Sequence, residues 1–116
     1  MKRIYVCSPY SGDIETNTAN ARRYGQYVMS YGHAPFIPHL LYTQWLDDSK
    51  PADREMGIQA GLAFLKVCDE LWCFYPPDKI LTGGMAAEVA KWGDRPARFI
   101  LWGALDWQRG AIYPPF

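Results

Sequence analysis

Glu88 is the residue around which chemistry can be built. It ends the run Thr82-Gly83-Gly84-Met85-Ala86-Ala87-Glu88. Two glycines let a backbone approach a ligand closely, and a helix starting there turns unpaired N–H groups toward an anion or a hydroxyl. The spacing sets Glu88 about one and a half turns into that helix. Most helical carboxylates are solvated surface groups, but Glu88 stands among Ala86, Ala87, Val89 and Ala90. Small apolar neighbours suit a pocket wall better than a charged face. Two other places offer polar groups: the loop Ser8-Pro9-Tyr10-Ser11-Gly12, and His39 behind Pro38. A histidine titrates near neutrality and can serve as an acid toward a departing group, although a lone histidine is more often structural.

These residues need elements to hold them. Ile4-Tyr5-Val6-Cys7 reads as a short buried strand stopped by the Pro9 and Gly12 loop. Asp13 caps a helix whose apolar residues Ala19, Ala21, Tyr24, Val28 and Met29 recur at helical spacing to about Tyr31, with Gly32 as its terminal glycine. Ala34-Pro35-Phe36-Ile37-Pro38 is too proline-rich for a central strand and predicts a short edge strand. Residues 40–46 fit a short helix or an ordered loop. A second long helix starts around Pro51, with Ser49 or Asp48 as cap, and ends near Cys68. Leu71-Trp72-Cys73-Phe74-Tyr75 is the clearest buried strand, residues 85–92 form the helix carrying Glu88, and Phe99-Ile100-Leu101-Trp102 is a last strand. Strands alternating with helices predict an α/β fold, a flavodoxin/Rossmann-like three-layer sandwich on a short parallel sheet of four to five strands. Ligands of such sheets sit beyond the carboxyl ends of the strands, and that edge collects residues 8–12, Pro38 with His39, and residues 75–88.

Composition narrows the function classes. The 116 residues suit one domain, residues 1–116, without a linker or repeat. Twelve basic residues balance twelve acidic ones, so nothing supplies the positive field of a nucleic-acid binder. No apolar run approaches the roughly 20 residues of a membrane span or a secretory leader, and three cysteines are too few for a disulfide framework. A cytoplasmic protein is expected. Cys7 and Cys73 read as small core residues. A zinc site from His33, His39 and the cysteines lacks any close-spaced pair. No P-loop and no G-x-G-x-x-G follows the first strand, and the Pro-Gly-Gly-x-Gly-Thr loop of cytokinin-activating phosphoribohydrolases is not matched either. No cofactor is expected.

The first strand with its Ser/Gly loop, the run Cys68-Asp69-Glu70-Leu71-Trp72, and Thr82-x-Gly-Met-x-x-Glu88 together resemble the nucleoside 2-deoxyribosyltransferase-like superfamily, closest to its small bacterial and phage members, over residues 3–101. The resemblance implies a flavodoxin-like fold and chemistry at the anomeric carbon of a nucleoside or nucleotide. Glu88 matches the family's nucleophile, Tyr5 the tyrosine that contacts it, and Thr82 the residue that binds the sugar or its 5′ substituent. Ser8, Pro9, Tyr10 and Gly12 match the loop that lines the ribose, Gly84 and Met85 the ligand-facing helix start, and His39 shares the rim. Tyr10 and Trp45 are candidate walls for a base. The chain departs from the family twice. Gly61 stands where deoxyribosyltransferases carry the aspartate that assists the leaving base, and Ser11 where nucleotide-specific members carry an arginine for the 5′-phosphate. His39 or the pair Asp53 and Arg54 are the candidate substitutes. The expectation is therefore an enzyme of N-glycosidic bonds, a deoxyribosyltransferase or N-glycosidase. The alternatives are a nucleotide-binding sensor or sequestering protein without turnover on the same fold, and an interaction module built on exposed aromatics.

The five Trp and eight Tyr need covering, and residues 103–116 hold Trp107, Tyr113 and Phe116 without periodicity. Such a tail predicts self-association, as a homodimer or higher homo-oligomer; the resemblance implies the same, with a neighbour's C-terminal region completing the site. Light scattering should give an oligomer for the full chain at tens of micromolar and a smaller species for a chain ending at Gly103. A monomeric full chain, or an oligomer that truncation leaves intact, contradicts this.

Overall fold

The structure is a computed structural model that describes residues 1–75, 81 and 83–101. Thr82, the loop at 76–80 and the aromatic tail lie outside the described residues. The elements run β1 (Arg3–Cys7), α1 (Ile14–Ser30), β2 (Ala34–Phe36), α2 (Pro38–Leu41), a 3-10 turn (Tyr42–Gln44), α3 (Pro51–Leu65), β3 (Glu70–Tyr75), α4 (Gly83–Trp92) and β4 (Ala97–Leu101). All strand pairs among the described residues are parallel, in the order β2-β1-β3-β4. The predicted α/β sandwich on a four-stranded parallel sheet is the observed architecture. The chain moves outward from β1 to β2, then returns to place β3 on the other flank of β1. The carboxyl ends of β1 and β3 therefore form the point where the sheet's order reverses, the usual position of a ligand crevice.

Strand alternation sends two sets of side chains to opposite faces. Ile4, Val6, Trp72 and Phe74 pack on one face against Ala21, Tyr24 and Val28 of α1. Ala21, Tyr24, Gly25 and Val28 make a buried stripe at helical spacing, and Tyr24 stacks on Phe74 with ring centroids 4.3 Å apart. Tyr5, Cys7, Leu71 and Cys73 face the other way, toward Leu65 of α3 and Met85 and Trp92 of α4. The three cysteines are free and buried, as small core residues should be. β2 is short and at the sheet edge, where its proline cannot break a central ladder.

Helix ends follow local chemistry with two corrections. Asp13 caps α1, its carboxylate accepting from the Thr16 N–H at 3.1 Å. The start of α3 does not use Ser49 or Asp48. Lys50 is the N-cap, and no side chain bonds to it. Asp47 accepts from the Ser49 N–H at 3.0 Å and from its hydroxyl at 2.6 Å, and Asp53 in the first turn accepts from the Asp47 N–H at 2.8 Å. The turn thus satisfies itself before the helix begins. α3 stops at Leu65, short of Cys68, and α4 starts at Gly83 rather than at Met85, so both glycines belong to its first turn.

α3 is tied to the rest of the fold at its C-terminal end. Phe64 stacks on Phe36 at 4.6 Å, and Arg95 donates to the carbonyls of Leu65 at 3.4 Å and Cys68 at 2.5 Å. Along the helix only Gly61 and Leu65 are buried, while Met56, Ile58 and Phe64 are exposed. A helix held this way stands off the sheet and leaves space beneath it. Among the described residues, no helix is long and apolar enough to cross a membrane.

Gly32, which ends α1, has φ +79°, a conformation that costs an L side chain about 1–2 kcal/mol. Gly32→Ala should lower unfolding free energy by about that amount in urea titration, with the denaturant slope unchanged. No loss of stability would mean that the turn relaxes to another conformation.

Candidate active site

The space under α3 opens into a cavity of about 460 Å³ at the switch point of the sheet, within the size range of small-molecule sites. Tyr5 rises from the middle of β1 and Glu88 descends from the second turn of α4. The Tyr5 hydroxyl donates to Oε2 of Glu88. α3 passes so close above this pair that a Cβ at Gly61 would lie 3.2 Å from the Tyr5 oxygen and 3.8 Å from Cβ of Pro38. Gly57, one turn earlier, also lines the cavity, and its own Cβ would meet Leu46 at 3.4 Å.

Burial sets the electrostatics of the pair. Desolvation pushes the Glu88 carboxyl above its ordinary value, and the hydrogen bond from Tyr5, with the Cys7 thiol nearby, pulls it only part of the way back. Burial, then the charge of Glu88, raises the Tyr5 phenol, which stays protonated and keeps its donor role. Cys7 points its thiol at the Met85 carbonyl, 3.7 Å away, and is held as a neutral thiol by its contact with Cys73 and by burial.

At the carboxyl end of β1, the Ser8 hydroxyl is buried and has no hydrogen-bond partner among the described residues. An unpaired buried hydroxyl costs about 1–3 kcal/mol, so a site that uses it offsets that cost with a ligand group. The Ser8 carbonyl is engaged by Nε2 of His39 at 3.0 Å. Tyr10 stacks on the imidazole, centroids 5.0 Å apart and 21° from parallel. Burial lowers the His39 pKa, offset in part by the Ser8 carbonyl and by the charge of Asp48. The resting imidazole is thus a neutral group rather than the charged acid considered from its position in the sequence.

Of the residues singled out in the sequence, Tyr5, Ser8, Tyr10, His39, Gly84, Met85 and Glu88 line one cavity. Pro9 and Gly12 are not among its lining residues. Gly12 has φ +96° and shapes the turn that delivers Asp13 to its cap. A Cβ on Gly83 or Gly84 would meet no atom within 4 Å, so these glycines front open cavity rather than a tight backbone approach. Trp45 points away and is 63% exposed; it meets Tyr42 edge-on at 5.7 Å, and Tyr42 takes the wall position. Thr82 lies outside the described residues. The sequence reading missed Gly57, Tyr42, Asp48 and Lys91 as lining residues. Gly57 and Gly61, four apart on a helix, were the legible signal, because glycine inside a helix needs a packing or ligand reason.

The raised Glu88 pKa makes a signed prediction. The folded state holds this proton more tightly than the unfolded chain. Its contribution to stability is therefore full below the ordinary value of 4.5 and is lost as pH rises through the raised folded value. Wild type should lose thermal stability relative to Glu88→Gln as pH climbs from about 4. Calorimetry of both proteins across that range checks it, and a gap moving in wild type's favour would mean a stabilised carboxylate.

No curated protein matches the sequence. Among solved structures, the fold is similar to that of a 2-deoxyribosyltransferase from the psychrotolerant bacterium Bacillus psychrosaccharolyticus. The TM-score is 0.62 and the identity 16%, over 98% of this chain and 99% of that one. It is also similar to a 2-deoxyribosyltransferase from Leishmania mexicana, with TM-score 0.58 and 16% identity over 85% of this chain and 63% of that one. These likenesses establish a shared Rossmann-like fold. The family model for the domain of unknown function DUF7768 matches residues 2–99, and the chain belongs to that family.

Proposed function

We propose that this protein breaks the N-glycosidic bond of a nucleoside or nucleotide, with Glu88 as nucleophile. One observation carries the reading: a partly buried carboxylate on the cavity wall whose hydrogen-bond donor is a buried, neutral phenol rather than a cation. A carboxylate oxygen attacks the anomeric carbon, and the carbon–nitrogen bond breaks with its electron pair leaving on the base, which takes up a proton. The resulting glycosyl ester is opened by water, or by a second base in a transfer reaction, and the carboxylate is restored. Tyr5 fixes the carboxylate rotamer and stabilises its charge before attack. The sugar is anchored by the Ser8 hydroxyl and the first turn of α4. The likeness in fold to two 2-deoxyribosyltransferases supports the same chemistry, as does the match of Tyr5 and Glu88 to the superfamily pattern. Thr82 and assembly into a homo-oligomer through residues 103–116 belong to this reading.

Gly61 favours a second reading, a nucleotide-binding protein without turnover. The helix position above the Tyr5 hydroxyl carries no acid to protonate a leaving base.

Incubation with a panel of nucleosides and 5′-nucleotides, followed by chromatography for free base, separates the two. Glu88→Ala should lower base release at least about a thousandfold, which corresponds to about 4 kcal/mol of barrier, with circular dichroism confirming that the variant is folded. Tyr5→Phe should cost about 10–100-fold, the scale of a hydrogen bond to a charged group. Turnover by Glu88→Ala equal to wild type would remove the nucleophile assignment. Binding without base release in wild type would select the second reading.

A further inference from the structure

The chemistry of His39 bears on which base the cavity takes. Its Nε2 lies 3.0 Å from the Ser8 carbonyl, and a carbonyl oxygen only accepts, so Nε2 carries the hydrogen. In a neutral imidazole the other nitrogen, Nδ1, then holds a lone pair and no proton. Nδ1 has no hydrogen-bond partner among the described residues, and the ring lines the cavity. The Tyr10 ring stacked on the imidazole holds its plane, and the Thr43 hydroxyl donates to the His39 carbonyl at 2.7 Å, which pins the backbone. His39 is a fixed acceptor.

Topology says which part of a nucleoside would meet it. α4 lies over β1 and β3, so Glu88 and the first turn of α4 hold the β3 side of the crevice. His39 follows β2 on the opposite flank of β1. Between the two, Tyr5, Pro38 and Gly61 line the same cavity. A sugar anchored at Ser8 and α4 with its anomeric carbon at Glu88 therefore directs its base along the cavity toward His39 and Tyr42, which line it on the β2 side.

We infer that His39 is a specificity-determining residue whose Nδ1 accepts a hydrogen bond from an exocyclic amino group on the base, so the cavity takes amino-bearing nucleosides and rejects their oxo counterparts. This rests on the glycosidic reading above. An oxo group at the same edge would set one acceptor against another, and a base with hydrogen there would leave Nδ1 unpaired. Both forms of mismatch are penalised strongly in sites built on a substrate donor.

The test compares kcat/KM for 2′-deoxyadenosine, 2′-deoxyinosine and purine 2′-deoxyriboside, each ratio normalised to the uncatalysed rates. Wild type should favour 2′-deoxyadenosine by about a hundredfold or more. His39→Phe, which keeps a ring for Tyr10, should bring the normalised ratios to near one. His39→Gln, whose amide can donate to the Ser8 carbonyl and still present an oxygen, should retain most of the preference. The chain has two histidines, so ¹⁵N spectra of histidine-labelled protein can resolve His39 directly. At neutral pH it should appear as the Nε2–H tautomer, with Nδ1 shifting when 2′-deoxyadenosine binds Glu88→Gln. Equal normalised rates for the three substrates, a preference that survives in His39→Phe, or an Nδ1–H tautomer would overturn the assignment. If no nucleoside releases base or perturbs the His39 resonances, the glycosidic reading fails first and this inference with it.

Discussion

A carboxylate buried against a phenol on one face of a parallel sheet is the constraint that the surrounding structure accommodates. Tyr5 occupies a core position of β1 with its ring packed among Leu65, Leu71 and Met85, yet its hydroxyl has to reach a polar partner. α4 supplies that partner in Glu88. The helix carrying Glu88 must therefore lie directly over β1, and Met85 and Trp92 bury themselves on either side to hold it there. The Trp92 indole N–H donates to the carbonyls of Arg95 and Pro96 at 3.0 Å each, which ties the end of α4 to the start of β4. A buried hydrogen bond between strand and helix fixes their relative position more tightly than apolar contact alone, because slippage leaves two polar groups unpaired.

The second consequence falls on α3. A helix packed tightly on this face would cover the Tyr5–Glu88 pair, and one packed loosely would lose its apolar contacts. The chain meets both demands with glycine and with terminal anchors. Gly61 approaches the phenol to a distance at which any side chain larger than alanine would project into the crevice. Leu65, Phe64 and Arg95 secure its C-terminal end, while the turn at residues 47–53 closes on the first turn of the helix itself. The exposed Met56 and Ile58 are the visible cost of lifting this helix away from the sheet.

Much of this was legible before any coordinates. The apolar runs at 4–7 and 71–75 could hardly be anything but buried strands, and Asp13 and Gly32 punctuated α1 by chemistry that acts within one turn. Glu88 stood out because its neighbours were small and apolar, a local property that survives folding. Trp45 was misassigned because aromatic type says nothing about direction. The short helix and 3-10 turn after β2 rotate Tyr42 toward the crevice and Trp45 toward solvent. The α3 cap was misread since three polar residues in succession could each have closed that turn, and the choice depended on Asp53 reaching back to Asp47. The acceptor state of His39 was invisible for a similar reason, since it depends on a carbonyl 31 residues away.

The same sheet treats its carboxylates in two opposite ways, and the contrast marks where chemistry belongs. At the amino end of the strands, Asp69 accepts from the Arg3 backbone at 2.7 Å and from its guanidinium, and Glu70 accepts from Lys2 at 2.6 Å and from the Trp72 indole at 2.9 Å. Cationic partners hold both below the ordinary carboxylate range, which makes them weak bases and poor nucleophiles suited to tying β1 to β3. Toward the carboxyl end, Glu88 has a neutral donor in Tyr5 instead, and burial moves its pKa the other way. A guanidinium in place of the phenol would orient the carboxylate equally well while neutralising the charge on which the proposed attack at an anomeric carbon depends. Tyr5 orients it without that loss. A carboxyl whose pKa its surroundings raise, set in a cavity wall, is the pattern expected of a functional group rather than a structural one.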